Sequence, residues 1–98
     1  MKLSFHPAAE SEFDLAINYY EDCEPGLGND FSLEVLTGIQ AIADYPRGWP
    51  VIEGDVRRCL VNRFPFGIVY SAEENDEIFI LSIMHLRQDP KHWKKRKK

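Results

Sequence analysis

The run IFILSIM at residues 78–84 is apolar at six of its seven positions. A strand with one face in water alternates apolar and polar residues, so a run without alternation needs cover on both sides. This segment therefore sets the problem that the rest of the chain has to solve. Something must pack above it and something else below.

The first half of the chain supplies one of the two layers. A short strand-like run, LSF at 3–5, ends in His6-Pro7, and proline suits the first turn of a helix. Ala9, Phe13, Ala16, Ile17 and Tyr20 then recur at helical spacing, while Glu10, Glu12 and Asp14 fall mostly elsewhere. The stretch EDCEPGLGND breaks the pattern through Pro25, Gly26 and Gly28. A second helix follows with Phe31, Val35, Ile39 and Ile42 on one stripe and Asp30 as its N-cap, until YPRGWP stops it. The two helices read as an antiparallel hairpin.

From Asp55 the period changes. VRRCLVNRF, FGIVYSA and EIFILSIMHL are rich in β-branched and aromatic residues and are parted by Pro65 and by the polar EENDE. No helix-length segment separates them, so the three strands meander antiparallel. The expected order is β-α-α-β-β-β, an α+β domain with the helical hairpin packed on one face of a small, mainly antiparallel twisted sheet. Two helices cover one face only. The other has to be closed by the basic tail, by a second copy or by a partner peptide, and the reading is that the chain holds another molecule there. Asp89-Pro90 followed by Trp93 looks like a turn and an aromatic anchor able to pin the tail onto that face.

Ninety-eight residues fit one domain, 1–98, with a basic tail at about 91–98. An apolar fraction of 44% is enough for a core and excludes a disordered chain. No stretch is long enough to span a bilayer, and MKLSFHPAAE meets a carboxylate too early for a signal peptide, so cytoplasmic residence is expected. Cys23 and Cys59 are too few for a disulfide framework or a zinc site, and Cys59 reads as a buried strand residue. No cofactor is implied.

The net charge of −4 conceals a division. Residues 1–56 carry two basic side chains against eleven acidic ones, whereas residues 57–98 carry ten basic against five acidic. Seven of the twelve Lys and Arg residues lie between Arg87 and Lys98. An anionic partner would meet the basic end; for Lys94 to Lys98 a solvated tail explains the charge as well as a contact does.

Arg57, Arg58 and Arg63 lie on or near the strand from 56, and His85 and Arg87 close the last one. Alternation puts Arg58, Leu60 and Asn62 on one face, with Arg57, Cys59, Val61 and Arg63 on the other. Guanidinium groups converging at one end of the sheet could hold a phosphate in bidentate fashion, and a histidine beside them could move a proton. The simpler reading is that arginines pair with the acidic helices and His85 only ends its strand. It is preferred for Arg57 and Arg63; for Arg58, His85 and Arg87 the two readings balance. Trp49 reads as a loop aromatic closing the core edge. Glu53 is a lone carboxylate that could serve as a base but is ordinarily solvated.

AAESEFDLAINYYE, followed by ADYPRGWPVIEGDVRRCLVNRFPFGIVYSAEENDEIFILSIMHLRQDPKHW, resembles the RelE/ParE superfamily of toxins from bacterial type II toxin–antitoxin modules. The resemblance covers essentially the whole chain and is most specific in VRRCLVNRFPFGIVY and IMHLRQDPKHW. It implies a toxin that inhibits growth and is neutralised by a cognate antitoxin, the protein existing as a homodimer or as a toxin–antitoxin hetero-oligomer, with no membrane involved. Two targets follow from the superfamily: DNA gyrase for ParE-like members, and the ribosome with its mRNA for RelE-like endoribonucleases. Under the nuclease reading the resemblance assigns catalytic roles to Arg58, Arg63, His85 and Arg87. Under the ParE-like, plasmid-stabilisation reading it assigns partner or target contact to Arg87, Lys91, His92 and Trp93. A degenerate, non-toxic member is the third alternative. No lysine lies between Lys2 and Lys91, Trp93 has no acid proton to give, and a pI of about 5.3 suits a ribosome binder poorly. These departures favour the ParE-like side.

Overall fold

The computed structural model describes residues 2–74, 77–89 and 91–96. Asn75 and Asp76 of the polar gap, Pro90 of the expected turn, and Lys97 and Lys98 of the expected tail lie outside the described residues. The chain runs β1 (Leu3–Phe5), α1 (Pro7–Cys23), α2 (Leu27–Asp44), β2 (Val51–Glu53), β3 (Val56–Leu60), β4 (Phe66–Ala72) and β5 (Ile78–His85), followed by a 3-10 turn, Lys94–Arg96. The sheet order is β1-β5-β4-β3-β2. β1 is parallel to β5, and every other pair is antiparallel. This is the expected α+β arrangement with β2 added at one edge, and the apolar run of β5 lies between β1 and β4.

Local chemistry explains the helix ends. α1 starts at Pro7, with His6 Nδ1 accepting the Ala8 N–H at 3.0 Å. α2 begins earlier than the sequence suggests. Its N-cap is Gly26, at φ 89°, which reverses the chain after α1. Asp30, the expected cap, already lies inside the helix, where its N–H donates to Gly26 O at 3.1 Å. The capping carboxylate comes instead from α1: Glu21 accepts the Gly26 N–H at 3.0 Å and the Gly28 N–H at 3.1 Å. Gly28 is thus helical, and a Cβ there would stand 2.6 Å from Ile17 O and 2.9 Å from Glu21 Cβ.

β3 also departs from expectation. It stops at Leu60, short of the anticipated Phe64, because Arg63 adopts φ 71° and the Val61 N–H closes the turn onto Phe66 O at 2.9 Å. Asn62 and Arg63 therefore leave the strand, and alternation does not place them. Arg57 does not pair with a helix carboxylate; it donates to the carbonyls of Arg47 (3.1 Å) and Trp49 (2.6 Å), holding the loop before β2.

Two apolar layers sandwich the sheet. On the helix side, Ala9, Ala16, Phe31, Val35, Ile39 and Ile42 pack on Cys59, Ile68, Tyr70, Ile78, Ile80 and Ile83. Burial pushes the Cys59 thiol up. The Tyr70 hydroxyl donates to Pro46 O at 2.7 Å, and burial pushes its phenol up to about 12. Trp49 packs at the edge of this core, as its loop position suggests. On the far side, Val56, Val69, Leu81 and Met84 form a second cluster. The pairing of β4 with β5 steps from Tyr70↔Ile80 to Val69↔Ser82, leaving Leu81 as the extra residue of a bulge.

Candidate interaction surface at the C-terminal segment

The far face of the sheet is not open. After β5 the chain turns sharply: the His85 N–H donates to Gln88 Oε1 (2.9 Å), and the Arg87 N–H donates to His85 Nδ1 (3.0 Å). Asp89 then accepts the Lys91 N–H at Oδ1 (2.9 Å) and the His92 N–H at its carbonyl (3.1 Å). This brings Trp93 onto the second cluster, where it is 3% exposed. The protein's own tail thus supplies the lid, and the expectation of a face left for another molecule is corrected. A burial of this size contributes on the order of a few kcal/mol, which is why the segment folds back.

A carboxylate on α1 fastens the same segment. Glu12 Oε1 accepts from Arg96 (2.8 Å), the Ser82 hydroxyl (2.8 Å) and the Ile83 N–H (3.1 Å), while His92 Nε2 lies 3.1 Å from Oε2. Arg96 also donates to Leu81 O at 3.1 Å, and Asp89 O lies 3.0 Å from the other nitrogen of His92. Burial raises the Glu12 carboxyl, but the hydrogen bonds from Arg96, Ser82 and His92 outweigh it and hold the group below its ordinary value. Sequence reasoning missed this cluster because its other members lie 70 to 84 positions from Glu12. The one available signal was Ser82, a lone hydroxyl in an otherwise apolar run.

The expected site residues divide into separate groups. Arg63 lies near α2, 3.7 Å from Asp30 and 3.6 Å from Glu34, with its guanidinium over the Phe64 ring. His85 stacks edge-on against Phe66 at 5.3 Å and lines a hollow of about 480 Å³ with Tyr19, Tyr20 and Gln88. Arg87 is exposed in the turn. Arg58 lies on the far face, its stem over Gly67, and shares a cleft of about 190 Å³ with Lys91 and Trp93. His92 belongs to the Glu12 cluster. Glu53, considered as a base, instead accepts from Lys94 at 2.9 Å. Arg58 therefore joins the residues expected to contact a partner, while Arg63 is paired on α2 and His85 stacks on Phe66 beside a different hollow. Among the described residues no His, Cys, Asp and Glu group could hold a metal ion, and no helix is long and apolar enough to cross a membrane.

Comparisons with known proteins bear on this geometry. A search of curated proteins returns no match. A solved chain from the chromosomal ParDE TA system from P. aeruginosa superposes with a TM-score of 0.71 at 21% sequence identity, covering 87% of this chain and 95% of that one. At that identity the likeness speaks for the fold. The family model described as ParE toxin of type II toxin-antitoxin system, parDE, matches residues 3–90, from β1 through the turn after β5. With that span matched, the chain belongs to the ParE toxin family of type II toxin–antitoxin systems.

Proposed function

We propose that this protein arrests growth by binding its target, DNA gyrase, through the basic segment after β5, and that a cognate antitoxin neutralises it in a complex. The observation that carries this reading is the combination of an anchored C-terminal segment with dispersed nuclease candidates. Trp93 and the Glu12 cluster fix the segment, and Arg87, Lys91 and Lys95 remain exposed on it. Phosphodiester cleavage needs cations and a proton carrier around one phosphate. Here Arg63 is paired on α2, and His85 faces an aromatic hollow.

The test is controlled expression with and without a candidate cognate antitoxin. Filamentation with a DNA-damage response, abolished by co-expression, is the expected result, and purified protein should inhibit gyrase supercoiling. His85→Ala and Arg63→Ala should keep full toxicity, whereas Arg87→Glu with Lys91→Glu should lose it. Immediate arrest of translation with cleaved messages would support the ribosome-dependent nuclease instead. Unimpaired growth would mark a degenerate member.

A further inference from the structure

The cleft on the far face unites residues that sequence reasoning assigned to two different roles. Arg58 comes from β3, Lys91 and Trp93 from the C-terminal segment, and Ile52, Glu53, Met84 and Lys94 complete the lining. Its position is built into the sheet. Gly67 lies opposite Leu60 on the neighbouring strand, and a Cβ there would stand 3.0 Å from Arg58 Cδ and 3.1 Å from Cγ. The missing side chain lets the arginine stem lie against β4. Among the described residues neither the Arg58 guanidinium nor the Lys91 ammonium has a hydrogen-bond or ion-pair partner, whereas Lys94 already holds the Glu53 carboxylate at 2.9 Å. A protein of net charge −4 thus places two unpaired cations beside a third that binds a carboxylate.

We infer that this cleft is a carboxylate subsite, which takes one acidic side chain of a partner peptide between Arg58 and Lys91. The inference rests on the reading that the C-terminal segment meets a protein partner, and it names the chemistry of that contact. The volume of about 190 Å³ suits a single side-chain head group and not a run of polymer backbone. A guanidinium presents a planar fork that matches a carboxylate. Glu53 shows the same chemistry within the chain, and as an internal competitor it lowers the affinity for an external acid.

The test is an NMR titration of the purified full chain with N-acetyl tetraglutamate, using tetraglutamine and inorganic phosphate as comparison probes. The two indole N–H signals of the chain make the reading internal, because Trp49 packs with the helix-side core and Trp93 lines the cleft. The expected result is a saturable shift of Trp93 alone, lost in Arg58→Gln and in Lys91→Gln. Removing the competitor by Glu53→Gln should tighten binding roughly two- to five-fold, the range of an exposed ion pair, whereas Glu10→Gln on α1 should not. No saturable shift, a shift that survives both cation variants, or tighter binding of phosphate than of tetraglutamate would overturn the assignment. Because toxicity plays no part in the readout, failure here leaves the growth-arrest experiment independent.

Discussion

Glu12→Gln tests the attachment of the C-terminal segment most directly. Three donors, from Arg96, Ser82 and the Ile83 N–H, lie 2.8 to 3.1 Å from the Glu12 carboxylate, and the His92 ring lies 3.1 Å from its other oxygen. Glutamine keeps one acceptor oxygen but removes the negative charge that the Arg96 guanidinium pairs with at 2.8 Å. Hydrogen bonds to a charged group are each worth about 1.5–3 kcal/mol, and removing one partner leaves the others unsatisfied. The side chains of Glu12 and Arg96 are 19% and 17% exposed, so water recovers part of this. The net loss is then about 2–3 kcal/mol, below the figure for a fully buried pair. For a domain of this size that corresponds to a Tm about 10–20 °C lower at pH 7. The pH dependence supplies a second reading. The folded carboxyl is held below its ordinary value of 4.5. Its stabilising contribution is therefore present above that value and is lost as pH falls through the lower, folded one. Thermal unfolding followed from pH 7 into acid should show the two proteins converging as the parent loses what the variant already lacks. A variant melting within about 2 °C of the parent at pH 7 would refute the reasoning, since that is less than 1 kcal/mol. So would a gap that stays constant on acidification.

Two further outcomes follow from the helix-side layer. Gly28→Ala should destabilise the protein by about 2 kcal/mol or more, because the added methyl meets Ile17 O at 2.6 Å and loosens the Glu21 cap; a chemical-denaturation midpoint equal to the parent's would contradict the close helix approach. Tyr70, pushed up to about 12, should stay protonated in a spectrophotometric titration carried to pH 11. Its contribution is complete below pH 10.0 and fades as pH rises toward its folded value, so a Tyr70→Phe variant should lose less stability in alkali than the parent.

Patterns that repeat along the chain were readable from the sequence. The helical stripes at Phe31, Val35, Ile39 and Ile42, the change of period at Asp55 and the doubly apolar run of β5 each state an element and its covered faces. Trp93 was also legible as an anchor, because a large aromatic after a turn needs an apolar surface. What escaped depends on single, distant partners. β2 has three exposed residues and no periodicity, and it exists only because β3 offers it an edge. The cap of α2 comes from another helix, so Asp30 was a reasonable local choice that Glu21 overrides. Arg63 at positive φ ends a strand whose composition would have continued it. The far face shows the limit of area reasoning. Counting two helices predicted an exposed surface, yet a six-residue stretch with one indole was enough to close it, and the family assignment stands on the match to residues 3–90.

The position of β5 also bears on how the protein is made. Both β1 and β4 pair with it, and β1 finds its partners at residues 78–80, far along the chain. A nascent polypeptide therefore emerges with its first strand unmatched and its middle strand not yet synthesised, so the sheet cannot assemble until residues 78–85 have been made. Prematurely terminated chains would lack the ribbon on which the others assemble, and quality-control proteases would meet them as unfolded substrates.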